Sequence, residues 1–255
     1  GIPYSIIKHS NYNVLNHFLS ILNKIFQTGI IPDDWSSQII IPILKLNKSP
    51  NSGSNHRPIA LSSTLSKIYE KLIKNRLEFF VESNHLLSPS QFGFRKKKST
   101  QDNLAIIRTD INLSISNKEV CLAVFIDIEG AFDNVSIPIL KKKLLGLGLP
   151  LMFVQSIINL FLDRKIFIEL PDVTPQSRSI WKGLPQGDVS SPLLYNIYTH
   201  DMHVTIPPQV KVVEFADDIA FFLSSKIIPS AVKYLNEAMN ALCTWLTLNS
   251  LELSV

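Results

Sequence analysis

The sequence predicts an α+β protein, and three observations carry that prediction. Long stretches repeat apolar residues every three to four positions, the period of a helix packed along one side. Between them lie short apolar runs of strand length. Two of these runs lead into acids. Val120 to Ile126 ends in Asp127, and Val212-Val213 and Ile219 to Leu223 flank Phe215-Ala216-Asp217-Asp218.

The totals bound the class. With 255 residues, 45% of them apolar and 18% charged, the chain is long and apolar enough for one large domain or two subdomains, which excludes a disordered tail. A net charge of +4 is compatible with a polyanionic partner without requiring one. The basic residues cluster as Arg95-Lys96-Lys97-Lys98, as Lys141-Lys142-Lys143, and as Lys67, Lys71, Lys74 and Arg76 at helical spacing. For each cluster alone, a solvated face is the simpler reading. Two cysteines, Cys121 and Cys243, give neither a disulfide framework nor a zinc site and point to a reducing compartment. No apolar run approaches the roughly 18 residues that span a bilayer, and there is no signal-peptide pattern. The chain starts at Gly1 and stops in mid-pattern at Val255, as a piece of a longer protein does.

The elements follow in order. A helix is expected over Val14 to Gln27, with Leu15, Phe18, Leu19, Leu22, Ile25 and Phe26 on one face and Thr28-Gly29 and Pro32 ending it. Ile39 to Leu44 reads as a strand that Pro42 places at an edge or a bend. A loop covers Asn47 to His56. The next helix, Thr64 to Val81, buries Leu65, Ile68, Tyr69, Leu72, Ile73, Leu77 and Phe80 and turns its lysines outward. Gln101 to Ser116 is amphipathic through Leu104, Ile107, Ile111 and Ile115. Val120 to Ile126 is apolar throughout and reads as a central strand covered on both faces.

Helices over Ile137 to Leu145, stopped by Gly146, and over Leu151 to Leu162 come next, then strands at Lys165 to Leu170 and Ser179 to Trp181. Ser191-Pro192 opens a helix with a hydroxyl cap and then a proline at the first helical position. A hairpin carries Asp217-Asp218 at its tip, and the last helix runs from Ser230 to Leu246 before a strand-like end, Leu248 to Val255.

Neighbouring strands lie about 4.8 Å apart, so Asp127 and Asp217-Asp218 can meet at one sheet end. Three carboxylates there suit Mg²⁺, which takes oxygen ligands. Two such ions serve phosphoryl transfer by activating the attacking oxygen and stabilising the leaving one. A solvated turn plus a surface acid is the rival reading. Lys182-Gly183-Leu184-Pro185-Gln186-Gly187 adds a loop whose glycines let backbone approach a ligand and whose Gln186 donates and accepts. His200 and His203 have no third ligand and read as ordinary surface or partnered residues.

In this order and spacing, the chain resembles reverse transcriptases of non-LTR (LINE-type) retrotransposons. The resemblance rests on GIPYSIIKH, QTGIIPDDW, IIIPILKLNK, NHRPIALSSTLSKIYEKLIKNRL, SPSQFGFRKKKST, VFIDIEGAFDNV, KGLPQGDVSSPLLYNIYTHDM, VVEFADDIAFF and WLTLNSLEL. It implies a right-hand polymerase of fingers and palm, the palm an antiparallel sheet backed by helices. Fingers are expected over 1–118 and 136–190 and palm over 119–135 and 191–255, with the thumb beyond the chain.

The activity implied is RNA-directed DNA polymerisation with two Mg²⁺ ions, or Mn²⁺ as an alternative. Its partners are an RNA template, a DNA primer, deoxynucleoside triphosphates and other domains of one polyprotein, with no membrane, in a nuclear or cytoplasmic ribonucleoprotein. By the resemblance Asp127 and Asp217 are metal ligands, Asp218 supports them, and Ile128 lends a backbone carbonyl. Lys45 and Arg57 match positions that hold the triphosphate, and Gln186 and Gly187 approach the nucleotide. Phe132 matches the ring beneath the sugar, although on sequence alone plain core packing is the stronger reading. Lys67, Lys71, Lys74 and the run Arg95, Lys96, Lys97, Lys98 are the expected nucleic-acid contacts.

Asp188 departs from the family's small polar residue and is expected to add negative charge near phosphates. RNA-copying RNA polymerases share the layout but carry an acid where Phe132 stands and GDD at the hairpin. A group II intron or other prokaryotic-type reverse transcriptase, a co-opted copy that only binds RNA, and a metal-dependent nuclease are the competing readings.

Overall fold

The computed structural model describes residues 2–168 and 177–254, and the last two residues of the strand expected over Lys165 to Leu170 lie outside them. The chain divides into two compact units, Gly1–Phe80 with Ile137–Ser191 and Val81–Ser136 with Pro192–Val255. In chain order the elements are α1 (Tyr4–Lys8), α2 (Tyr12–Thr28), β1 (Ser37–Leu44), β2 (His56–Leu61), α3 (Thr64–Ser83), α4 (Thr100–Ser116) and β3 (Val120–Ile126). They continue as α5 (Ile137–Gly146), α6 (Leu151–Ile158), β4 (Arg164–Ile168), β5 (Ser177–Ile180), α7 (Ser191–Tyr198), β6 (Lys211–Phe215), β7 (Asp218–Ser225) and α8 (Ile228–Leu248).

The first unit is built on a four-stranded sheet in the order β2-β1-β4-β5. Strand β1 pairs with β2 on one side and with β4 on the other, both at Ile39 and Ile40, so it is not an edge strand along that stretch, and Pro42 lies beyond it. Among the described residues the parallel pairing with β4 covers Ser37 to Ile40. Among the described residues Pro42 pairs only with β2, where it stands opposite Pro58, so two positions without an N–H face each other. Strand β2 has no counterpart among the expected elements; Arg57-Pro58 interrupts its apolar pattern.

Helix α2 starts where the Asn11 side chain accepts the Val14 N–H and ends at Gly29, whose φ of 68° glycine adopts without strain. Helix α3 buries Tyr69, Ile73 and Leu77 together with Ser66 and Glu70, while Leu72 is exposed. The buried stripe is therefore rotated from the apolar one, because two polar side chains find partners inside. Trp35 packs on Tyr69 with ring centroids 5.8 Å apart, and Phe26 of α2 meets Phe153 of α6 at 6.0 Å.

The second unit holds a three-stranded antiparallel sheet in the order β3-β7-β6. Strand β7 is its centre, with Ile219, Ala220, Phe221 and Phe222 all buried. Ala220 and Phe222 cluster with Val213, Cys121 and Ile107 of α4, and α8 also packs on β7 and β3. Strand β3, expected to be central, lies at the edge, and Phe125 is 74% exposed. A continuous apolar run is compatible with either place.

Helix α4 is also rotated. It buries Asn103 and Ser114 and exposes Leu104, Ile111 and Ile115, because Asn103 donates to the Glu214 carbonyl at 3.1 Å and Ser114 bonds Ser224 at 2.5 Å. Helix α4 packs on β3, β6 and β7, and the chain passes from the first unit to the second at 80/81. No helix among the described residues is long and apolar enough to cross a membrane.

Candidate active site

In the second unit, the ladder pairs Ile126 with Ile219 and Phe215 with Asp218. Asp127 and Asp218 therefore leave adjacent strands at the same end of the sheet, and Asp217 sits in the two-residue turn between β6 and β7. Asp127 and Asp218 are exposed and Asp217 is half-buried. Burial pushes the Asp217 carboxyl up, and the charges of Asp218 and Asp127 push it further; only its own backbone N–H opposes them. Like charges thus face one another with no cation among the groups acting on Asp217.

The chain after α8 returns to this end. Ser254 N–H donates to the Asp127 carbonyl and Glu129 N–H to the Glu252 carbonyl, each at 2.9 Å, and Ile128 bridges Leu253. The expected strand-like end is thus one short bridge that leaves Ile128 3% exposed.

Phe132 is half-buried and stacks on Tyr195, with centroids 4.7 Å apart and planes 20° apart, while Phe94 meets it edge-on at 6.2 Å. Tyr195 is fully buried, and among the described residues its hydroxyl has no hydrogen-bond partner. The phenol is pushed far up by burial and by the charges of Asp217, Glu214 and Asp127.

The first unit gathers the other candidates. Register places Arg57 opposite Ile43, two residues before Lys45, so both basic residues lie at one end of the β1–β2 ladder. Ala60 N–H donates to the Gln186 carbonyl at 2.7 Å. A Cβ at Gly187 would stand 2.9 Å from the Ala60 carbonyl oxygen, and φ there is 112°, so this loop follows β2 at a distance only glycine allows. Buried Arg164, absent from the sequence reading, braces the loop by donating to the Lys182 and Gly183 carbonyls at 2.7 Å each.

Asp188 corrects an expectation. Its carboxylate is turned inward, accepting from Gln38 at 2.9 Å and Ser62 at 2.8 Å, and only 6% of the residue is exposed. Buried Glu70 lies beside it and accepts from Ser66, Val189 N–H and Ser190 just ahead of α7. Burial and the charge of Asp188 push Glu70 up to about 8. Asp188 is also raised by burial, against the Ser62 and Gln38 bonds and the charges of Arg164 and Lys67.

Among the basic residues of α3, Lys71 is exposed and Lys67 and Lys74 are half-buried. The run after Phe94 behaves differently from the solvated or phosphate-facing cluster expected. Arg95 forms a two-pronged pair with Glu82 at 2.9 and 2.6 Å and donates to the Ser88 carbonyl at 2.9 Å. Lys98 donates to the Pro89 and Gln91 carbonyls and sits 4.3 Å from the centre of the Phe92 ring. Both cations hold their own loop, and Lys96 and Lys97 are the exposed members of the run.

The pattern of the family described as reverse transcriptase (RNA-dependent DNA polymerase) matches residues 47–255. The chain belongs to the reverse transcriptase family. It is 33% identical over 231 residues to the probable RNA-directed DNA polymerase from transposon BS of Drosophila melanogaster, covering 88% of this chain and 25% of that protein. It is 32% identical over 232 residues to the RNA-directed DNA polymerase from mobile element jockey of the same fly, with the same coverage. This reverse transcriptase chain spans about a quarter of the length of the curated relatives it matches. Apo telomerase from Candida tropicalis superposes with a TM-score of 0.63 at 12% identity, covering 96% of this chain and 48% of that one, a likeness of fold. The resemblance to non-LTR reverse transcriptases and the reverse-transcriptase-like α+β fold are both borne out.

The family implies divalent metal ions. Asp127, Asp217 and Asp218 fit them by donor type: hard oxygens near like charge, exposed on Asp127 and Asp218 and half-buried on Asp217. The three carboxylates do not form a ready-made cage, since among the described residues no three acid, histidine or cysteine side chains converge closely enough to hold an ion.

Proposed function

We propose that this chain is the catalytic core of an RNA-directed DNA polymerase of a retrotransposon. Templated by RNA, it transfers a deoxynucleotidyl group to the 3′-hydroxyl of a DNA primer and releases pyrophosphate. The observation that carries the reading is the pairing of β3 with β7, which puts Asp127 and the Asp217-Asp218 turn at one sheet end with their oxygens open. The names of the relatives support it.

Asp127 and Asp217 would hold Mg²⁺, or Mn²⁺, with Asp218 and the Ile128 carbonyl in support. Two bound ions would supply activation of the attacking hydroxyl and stabilisation of the leaving oxygen. Lys45 and Arg57 would hold the triphosphate by charge and directed N–H donors. The close-lying backbone of Gly187 and the amide of Gln186 would orient the nucleotide. Phe132, held by Tyr195 on one side and Phe94 at its edge, would exclude a ribose 2′-hydroxyl sterically. Lys67, Lys71, Lys74, Lys96 and Lys97 would bind phosphates. The first unit would serve as fingers and the second as palm.

The test is primer extension on an RNA template with the chain and its Asp217→Asn variant. Extension should fall by at least about a thousandfold, with RNA affinity within about twofold. Undiminished extension by Asp217→Asn would remove the polymerase reading.

A further inference from the structure

The turn that carries Asp217 is held from outside the hairpin by one side chain. Gln91 is 1% exposed, and its carboxamide takes both backbone groups of Ala216. Nε2 donates to the Ala216 carbonyl at 3.0 Å, and Oε1 accepts the Ala216 N–H at 2.9 Å. The same oxygen accepts the Gly93 N–H at 2.7 Å. With both ends of the amide engaged by backbone and no exposed surface, Gln91 is not available to a substrate.

The turn needs holding. Ala216 has a φ of 59°, a left-handed conformation that costs a residue with a Cβ about 1 kcal/mol or more. A two-residue hairpin turn also leaves its own N–H and C=O groups to find partners beyond the ladder.

A second contact acts at the same point. A Cβ added to Gly93 would lie 2.3 Å from the Ala216 nitrogen, so the backbone at 93 rests directly against the turn. The Gly93 carbonyl is in turn fixed by Asn196 of α7 at 2.9 Å. On either side of Gln91, Phe92 N–H donates to the Glu214 carbonyl and Glu214 N–H to the Ser90 carbonyl, each at 2.8 Å. The buried Glu214 carboxylate accepts from Ser88 at 2.9 Å and Ser90 at 2.5 Å. Residues 88–93 thus form a strap along β6 that ends on the turn.

We propose that Gln91 is a positioning residue: its carboxamide sets the Ala216-Asp217 turn and thereby the direction in which the Asp217 carboxylate leaves the hairpin. The catalytic consequence rests on the polymerase reading above; the clamp does not. A reacting group displaced by about 1 Å loses on the order of a hundredfold in rate. A turn released from Gln91 should therefore slow the chemical step while leaving nucleotide and RNA binding in place.

The experiment compares the chain with Gln91→Met, which keeps length and removes both hydrogen-bonding ends, and with Asp217→Asn. Amide hydrogen exchange is read at Ala216 and Gly93, and single-nucleotide extension is measured under single-turnover conditions. Gln91→Met should speed exchange at both amides about tenfold or more and lower the extension rate by about ten- to a hundredfold. The nucleotide KM and the RNA Kd should stay within about twofold. A residue that only supported folding would lower the reacting amplitude and leave the rate of the reacting fraction unchanged.

If Gln91→Met does not fold, Gly93→Ala presses on the same turn with Gln91 intact and should slow the same rate. Unchanged exchange at Ala216 overturns the clamp. Faster exchange with an unchanged single-turnover rate overturns the positioning role. If the unaltered chain extends no better than Asp217→Asn, the polymerase reading fails, and exchange at Ala216 still decides the clamp.

Discussion

Each unit contains acids that carry like charge at close range, and the two sets are resolved in opposite ways. In the first unit, Glu70 and Asp188 are 2% and 6% exposed, and all four carboxyl oxygens accept hydrogen bonds. A proton can settle that pair, since Glu70 is raised to about 8. In the second unit Asp217 is also raised, by burial and by Asp218 and Asp127, but its neighbours are exposed and only its own N–H opposes them. A raised carboxyl by itself does not mark a catalytic site. What distinguishes the hairpin end is that Asp127 and Asp218 are exposed and Asp217 half-buried, whereas the pair on α3 and ahead of α7 is closed.

The comparison breaks most sharply if the two sets are exchanged in role. Asp217→Asn should abolish extension and leave the denaturation midpoint equal or higher, because a repelled, half-buried charge is removed. Glu70→Ala should do the reverse in kind, lowering stability by about 2–4 kcal/mol through unmet Val189 and Ser190 donors. If Asp217→Asn unfolds as readily as Glu70→Ala, the distinction between open and closed acids is wrong.

A smaller effect sharpens the closed pair. The folded-state pKa of Glu70 lies above its unfolded value of 4.5, so between that value and about 8 the folded chain binds a proton the unfolded chain has released. The stability contributed is complete below this window and is lost as pH rises through it, by up to about 1.4 kcal/mol per pH unit. Asp188, raised in the same sense, adds to the slope. Glu70→Gln, measured by thermal unfolding from pH 5 to 9, should flatten it; an unchanged slope would place the buried proton elsewhere.

Next in size is Phe132→Val, which should raise ribonucleotide use relative to deoxynucleotide by about tenfold. Competition between matched nucleotides on one template measures it. A constant ratio with lowered stability would make the stack on Tyr195 core packing only. The smallest effect concerns charge. Lys71→Glu and Lys97→Glu should each reduce the slope of log affinity against log salt by about 0.7–0.9. Arg95→Ala should leave that slope alone and cost about 1–3 kcal/mol of stability, because its partner is Glu82. A slope that follows Arg95 instead would return it to the nucleic-acid surface.

The elements themselves were legible. The acids at the ends of apolar runs, the hairpin and the Gly29 stop are local patterns, and the structure has each; a helix does open at Ser191-Pro192, but Ser191 is its first residue and, among the described residues, its buried hydroxyl has no partner and is not the expected cap. Faces were less so. Helices α3 and α4 turn polar residues inward, Glu70 and Ser66 on one and Asn103 and Ser114 on the other, toward partners up to about 120 residues away. An apolar stripe cannot announce such partners. The partners of Arg95 and Lys98 were hidden for the same reason: a basic run reads as a charged face until Glu82 and the carbonyls of its own loop are found beside it. Gln91 lies inside SPSQFGFRKKKST, a motif that carried the resemblance without showing what its amide does.

By itself the sequence determined the periods, the turns and stops, and the acids that β3 and the hairpin present, because these depend on neighbours a few residues apart. Together with the order of its motifs, it also determined the family. Only the tertiary structure decided that β3 is an edge strand, that Asp188 faces inward, and that Gln91 holds the turn beneath Asp217. Each depends on groups distant in the chain, and burial lets a polar side chain satisfy itself wherever the fold happens to bring a donor or acceptor within reach.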